Sequence, residues 1–377
     1  MKRVLLTNMY ANLGGGELCL LSHIRYLKAQ NCVVSLALLE SGPLAEEAAA
    51  LGVSVTTLPF SWQGSKVRSF ILLARLVSQF ILLILKFRPQ ILIAYTFNDL
   101  VIAGIAARLA GCPIVYRAQG ELFLPGRNNG RTWLGRWLKP FFKIMRPRII
   151  CTTRAEVTAM LAAGIPPAMV SHVYLGVDHS LFNTHTRSST NDKPVVAIFG
   201  RLIQWKGQDV FLHALAELKQ QGVSFEAWVV GGSEFGGGEP YEAQLHQLAK
   251  DLGIAESVKF LGFRNDIPEL MASCDVVCHA SRFEPFGMVV IEAMMSGKPV
   301  VASDVSGPHE SVEEGVTGYL YPAGDHHSLA LRLASLLPDP DLRHRLGEAG
   351  NRRAMELFDL QRNLSRLDEE CNILAGF

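Results

Sequence analysis

The sequence predicts an α/β protein of two doubly wound domains, each a parallel sheet flanked by helices. Three observations carry this. Short β-rich apolar runs alternate with helix-period segments twice along the chain, and runs such as Val195-Val196-Ala197-Ile198-Phe199 are apolar at every position, as in strands buried on both faces. The length of 377 residues exceeds one ordinary core. The halves also differ in charge: residues 1–182 hold 19 Lys+Arg against 8 Asp+Glu, a balance of +11, whereas residues 183–377 balance at −10. Hydrophobic residues at 49% and charged residues at 19% exclude a disordered, collagen-like or coiled-coil chain. A total of +1 gives no sign of a nucleic-acid partner.

In the first half, strands are expected near 2–7, 32–38, 53–57, 90–95, 113–117 and 148–152, with helices near 15–29, 66–87 and 98–110. The N-terminal run reaches Thr7-Asn8 after three apolar residues, too short for a signal-peptide core and suited to a first buried strand. The apolar run 70–85 falls short of the roughly 20 residues a membrane span needs. It also carries Arg75 and Gln79 on one helical face, so it reads as a helix packed on a sheet with one wet stripe. In the second half, strands near 195–199, 225–231, 258–262, 275–280 and 299–302 alternate with helices near 207–221, 241–252, 266–273 and 287–296. The polar stretch 183–194 has no apolar periodicity and divides the domains, 1–182 from 183–357. Two such domains make a cleft, and ligands sit beyond the carboxyl ends of the strands.

The seven cysteines are scattered without a dense framework, which reads as reduced thiols in a cytosolic protein. Cys274 and Cys278 lack a second Cys/His pair, so no metal is expected.

Two loops after strands carry chemistry. Gly200-Arg201-Leu202-Ile203-Gln204-Trp205-Lys206-Gly207 follows the strand at 195–199 and opens a helix. Two cations five residues apart at a helix N-terminus can converge on a diphosphate, or can be two solvated loop charges. The second loop, Ser281-Arg282-Phe283-Glu284-Pro285-Phe286-Gly287-Met288, leads into Val289-Val290-Ile291-Glu292. Glu292 interrupts an apolar run, where an unpaired carboxylate is costly. Two hydrogen bonds from a ribose diol would offset that cost, and so would a thin water-facing stripe.

The block from Glu284-Pro285-Phe286-Gly287 through Glu292-Ala293-Met294 to Gly297-Lys298-Pro299-Val300-Val301-Ala302-Ser303 resembles the family 4 retaining GT-B glycosyltransferases. Gly200-Arg201-Leu202 with Lys206-Gly207, Gly176-Val177-Asp178 with Phe182, Gly14-Gly15-Gly16-Glu17 and the stretch 318–325 match the same family, so the resemblance runs along nearly the whole chain. It implies a nucleotide-diphosphate-sugar donor, with a UDP-sugar expected, no cofactor and no metal. By this likeness Arg201 and Lys206 bind the diphosphate, Glu292 the ribose, and Glu284 the sugar hydroxyls. Backbone N–H groups of Phe286, Gly287 and Met288 support sugar or phosphate. Gly15 and Gly16 approach the phosphates, and the loop with Gly262 and Arg264 faces the base. The C-terminal helix, about 358–377, is expected to return to the first domain. Gln119 stands where the family commonly carries a His, and an amide can hydrogen-bond a sugar hydroxyl but cannot carry a proton. Pro308 removes a backbone donor from the family's usual Gly-Gly.

Residues 127–148 hold Arg127, Arg131, Arg136, Lys139, Lys143, Arg146 and Arg148, no acid, and interleaved Trp133, Trp137, Phe141 and Phe142. This mixture suits peripheral contact with an anionic membrane, or a surface helix whose aromatics cap the core. The expected function is therefore transfer of a hexose-type sugar, with retention, to a glycan or lipid-linked acceptor. The setting is bacterial-type cell-surface polysaccharide or lipopolysaccharide synthesis at the inner face of the cytoplasmic membrane. A GT-B sugar-nucleotide epimerase and a Rossmann-fold dinucleotide-dependent oxidoreductase are the alternatives. The second lacks a Gly-x-Gly-x-x-Gly fingerprint.

Overall fold

The computed structural model describes residues 1–58, 66–120, 140–182, 193–232 and 239–375. The described residues fall into two compact units, Met1–Gly176 with Gln361–Phe377, and Val177–Leu360. Each is built on a wholly parallel sheet.

In the first unit, β1 (Arg3–Asn8), β2 (Val33–Leu38), β3 (Ser54–Thr57), β4 (Ile91–Ala94), β5 (Ile114–Ala118), β6 (Arg148–Cys151) and β7 (Val170–His172) lie in the order β3-β2-β1-β4-β5-β6-β7. The order reverses between β1 and β4, which makes their carboxyl ends the switch point of the sheet. Strand β4, Ile-Leu-Ile-Ala, is buried at every residue, as its unbroken apolar sequence requires. The helix Lys66–Phe87 buries Leu76, Phe80 and Ile84, spaced four apart, in the same core as Leu100, Ala103 and Ala107 of helix Phe97–Leu109. Its Arg75 faces water. Among the described residues no helix is long and apolar enough to cross a membrane.

The helix Leu360–Ala375 supplies the C-terminal part of this unit, burying Asn363, Leu364, Leu367 and Cys371 on one face. Polar contacts add to this: Lys2 Nζ meets Asp368 and Asn372, each at 2.5 Å, Arg148 meets Glu370 at 2.6 Å, and Asn363 Nδ2 donates to the Leu175 carbonyl at 3.1 Å.

In the second unit, β8 (Val195–Phe199), β9 (Glu226–Val230), β10 (Val258–Gly262), β11 (Val276–His279), β12 (Val300–Ser303) and β13 (Gly318–Tyr321) take the order β10-β9-β8-β11-β12-β13. Here the switch point lies between β8 and β11. Ile198, Val229, Cys278 and Val301 share one core with Phe211, Leu215 and Leu218 of helix Gln208–Gln220 and with Leu329 and Leu333 of helix His326–Leu336.

Two strands and several helices go beyond the sequence expectation. β7 is three half-buried residues and β13 is buried only at its two ends, Gly318 and Tyr321, so neither shows a continuous buried apolar run. The helices Pro43–Ala50, Arg154–Ala162, Ser306–Ser311, His326–Leu336 and Pro340–Leu357 were likewise not expected. Pro43 and Pro340 sit in the first turns of their helices, where a missing N–H costs nothing.

Candidate functional site

The loops leaving β8 and β11 flank the switch point of the second sheet. After β8 the chain makes a short turn, Gln204–Lys206, and then Gly207 takes φ +71° and caps helix Gln208–Gln220. A Cβ at Gly207 would lie 2.0 Å from the Ala280 carbonyl oxygen, so only glycine lets this loop lie against the one after β11. Arg282 clamps the two loops. Its backbone N–H donates to the Trp205 carbonyl at 2.8 Å, its guanidinium donates to the Gln204 carbonyl at 2.7 Å, and it forks onto Asp209 at 2.6 and 3.0 Å.

This clamp brings Lys206 to Glu284, 78 residues away in sequence, with Nζ 2.5 Å from Oε2. Lys206 Nζ also lies 4.5 Å above the Trp205 ring. The same Glu284 Oε2 meets His279 Nε2 at 3.3 Å and accepts from Ser281 Oγ at 3.4 Å. Burial alone would push the Glu284 carboxyl up. The His279 hydrogen bond and the Lys206 charge outweigh it and hold the group at about 2. All three contacts fall on Oε2, so among the described residues Oε1 has no partner and can accept from a ligand.

Glu292, on helix Met288–Met295, is in the opposite condition. Burial pushes its carboxyl up to about 7, opposed only by the Lys206 charge, and no donor among the described residues reaches it. Gly287 caps that helix at φ +84° and a Cβ there would meet Pro308 at 3.2 Å. Pro308 thus packs against Gly287. Neither Gly287 nor Met288 N–H has an acceptor among the described residues. Phe286 is buried, its ring edge-on to Phe358. Arg201 is exposed, and no ion pair holds it among the described residues. The unit therefore assembles, around one loop pair, two cations, one firmly ionised carboxylate with a vacant oxygen, and one carboxyl short of donors. Such a set can hold an anion and several hydroxyl groups at once.

Other expected positions are less closely joined. Gly262 ends β10 at φ +65°, and Arg264 has its fork taken by Asp266, with Nε 2.7 Å from Oδ1. In the first unit Gly14 caps helix Gly15–Ala29, its N–H donating to Glu17 Oε2 at 3.1 Å. A Cβ at Gly16 would come within 2.9 Å of Gln119 Oε1, whereas one at Gly15 would meet nothing within 4 Å. Gln119 Nε2 is buried with no hydrogen-bond partner among the described residues. Arg127, Arg131, Trp133, Arg136, Trp137 and Lys139, and most of the stretch 183–194, lie outside the described residues. Lys143 and Arg146 are exposed.

Sequence reasoning missed His279, Ser281 and Ser303. His279 ends β11 after three apolar residues, which reads as a strand terminus, and Ser303 ends β12. The one available signal was the polar residue closing each buried strand at the sheet's carboxyl edge.

Comparison with known proteins accords with this architecture. Residues 13–181 match Glycosyltransferase Family 4 and residues 183–353 match Glycosyl transferases group 1. HepE of Anabaena, solved in complex with UDP, is 30% identical with a TM-score of 0.85, covering 99% of this chain and 100% of that one. HepE has also been solved with UDP-glucose. The lipopolysaccharide core biosynthesis glycosyltransferase LpsE of Rhizobium meliloti is 33% identical over 44% of this chain and 46% of its own length. A GDP-mannose-dependent α-(1-6)-phosphatidylinositol monomannoside mannosyltransferase of Mycolicibacterium smegmatis is 32% identical over 56% and 57%. The chain spans about half the length of these two relatives. With both sheets doubly wound, both halves matched and one solved relative aligned from end to end, the chain belongs to the family 4 GT-B glycosyltransferases.

Proposed function

We propose that the protein is a retaining glycosyltransferase that moves a hexose-type sugar from a nucleotide-diphosphate-sugar to a glycan or lipid-linked acceptor in cell-surface polysaccharide or lipopolysaccharide synthesis. The observation that carries this is the Lys206–Glu284 pair at the carboxyl ends of β8 and β11, with Glu284 Oε1 unused. A donor satisfies both partners: its diphosphate takes Lys206 and Arg201, and a sugar hydroxyl donates to Glu284. The two cations then neutralise charge growing on the departing diphosphate, an effect of about 3–4 kcal/mol per preorganised donor. Glu292, short of donors, accepts from the ribose diol. Gly287 and Met288 N–H groups face sugar or phosphate at a helix start. Gly15 and Gly16 are assigned to the phosphates, Gln119 to a sugar hydroxyl, and Gly262 with Arg264 to the base.

The bound UDP and UDP-glucose of HepE favour a UDP-sugar donor, and the LpsE relative favours a lipopolysaccharide-type acceptor. A thermal-shift panel of nucleoside diphosphates and nucleotide-sugars tests the donor. UDP and a UDP-sugar should raise the melting temperature, and Arg201→Ala should abolish the rise. A rise that persists in the variant rejects the diphosphate assignment.

The acceptor side is proposed to touch an anionic membrane through 127–148. Exposed Lys143, Ile144 and Arg146 support this, as do exposed Leu82 and Leu85 on the helix Lys66–Phe87. The chain should float with vesicles containing anionic lipid. Binding unchanged after neutralising Arg131, Arg136, Lys139 and Lys143 would reject the contact.

A further inference from the structure

His279 has a hydrogen-bond partner on each ring nitrogen. Its ring is buried at the end of β11, with Nε2 3.3 Å from Glu284 Oε2 and Nδ1 3.2 Å from Ser303 Oγ. Ser303 has a single hydroxyl hydrogen, and the Ser281 carbonyl oxygen, 2.7 Å away, takes it. Toward His279 the Ser303 oxygen can therefore only accept, so Nδ1 must carry hydrogen. On the other side, an ionised carboxylate is an acceptor only, so Nε2 must carry hydrogen as well.

We infer that His279 is a positioning residue, held as a double donor between Ser303 and Glu284, which fixes the Glu284 carboxylate and adds a second positive charge behind it. The backbone holds the ring in place: Tyr321 OH donates to the His279 carbonyl at 3.4 Å, and Ser303 Oγ ties β12 to the loop after β11. With Lys206 and His279 both on Oε2, the carboxylate cannot rotate without losing a charge-assisted bond, and Oε1 stays aimed outward. Lys206 can then leave for a phosphate while His279 keeps Glu284 ionised. The acceptor for the sugar hydroxyl is thus preserved at the moment the ion pair opens. The inference rests on the donor site proposed above.

The test has a spectroscopic arm that does not depend on activity. In the full chain carrying ¹⁵N-labelled histidine, one buried ring should show both nitrogens protonated at neutral pH, and that signal should vanish in His279→Gln. His23, which burial holds down at about 3, gives a neutral buried reference in the same spectrum. A His279 ring with one bare nitrogen overturns the inference.

The kinetic arm uses UDP and UDP-glucose as probes. His279→Gln should lower kcat/KM for UDP-glucose roughly 10- to 100-fold, the effect of one hydrogen bond to a charged group, and leave the Kd of UDP unchanged. Equal weakening of UDP and UDP-glucose marks a merely structural role and also overturns it. Should His279→Gln fail to fold, Ser303→Ala keeps the ring and removes the acceptor of Nδ1–H together with the hydroxyl's bond to the Ser281 carbonyl. The doubly protonated signal should then be lost, and its persistence rejects the assignment. Failure of the unmodified chain to bind either probe rejects the donor reading instead, while the spectrum still decides the state of His279.

Discussion

Glu284→Gln separates the electrostatic account of the site from a purely steric one. The carboxyl is held at about 2, against an ordinary glutamate value near 4.5, by His279 and Lys206 acting against its own burial. A difference of about 2.5 pH units corresponds to roughly 3 kcal/mol favouring the ionised form in the folded protein. Because the folded value is depressed, this stability is present above about pH 4.5, where the unfolded chain is also ionised. It is lost as pH falls toward 2. Glutamine keeps the shape but has no charge to titrate. The stability gap between the native chain and Glu284→Gln, measured by urea unfolding, should therefore narrow by about 1 kcal/mol between pH 7 and pH 3.5. Parallel stability curves across that range would refute the claim that His279 and Lys206 hold an ionised Glu284. The same variant should lose most turnover of a UDP-sugar at neutral pH, since an amide cannot offer the hydroxyl an anionic acceptor.

Lys206→Ala and Arg201→Ala should each lower turnover of a UDP-sugar by about 10²–10³, read by single-turnover product formation. Gly207→Ala places a side chain at φ +71° and 2.0 Å from the Ala280 carbonyl, so its urea midpoint should fall by the equivalent of at least about 2 kcal/mol. In the first unit, Glu156 accepts from Thr152 N–H and Oγ1, yet burial pushes its carboxyl up to about 7. Its folded value lies above the unfolded one, so its stabilising effect is complete below about pH 4.5 and declines as pH rises through 7. Thermal melts of Glu156→Gln should accordingly compare best with the native chain at pH 8 and worst at pH 5.

The α/β class was legible because fully buried parallel strands leave unbroken apolar runs, and β4 and β8 are buried at every residue. β7 and β13 were not legible, since half-exposed edge strands of three and four residues leave no run and no long alternation. The loops that carry Arg201, Lys206, Glu284 and Glu292 could be picked out because each follows a readable strand and breaks into charge. Their partners could not be. Lys206 meets Glu284 only because β8 and β11 are neighbours while β9 and β10 lie on the far side of β8, and local periodicity carries no information on strand order.

By itself, then, the sequence determined the alternation of strands and helices and which loops hold charge, since burial and turn chemistry act on residues a few positions apart. Tertiary structure alone decided that Glu284 would be ionised and Glu292 would stand near 7. A carboxylate's charge depends on what lies within a few ångströms of it. Here those neighbours are His279, Ser281 and Lys206 for one, whereas the other has burial opposed only by the Lys206 charge.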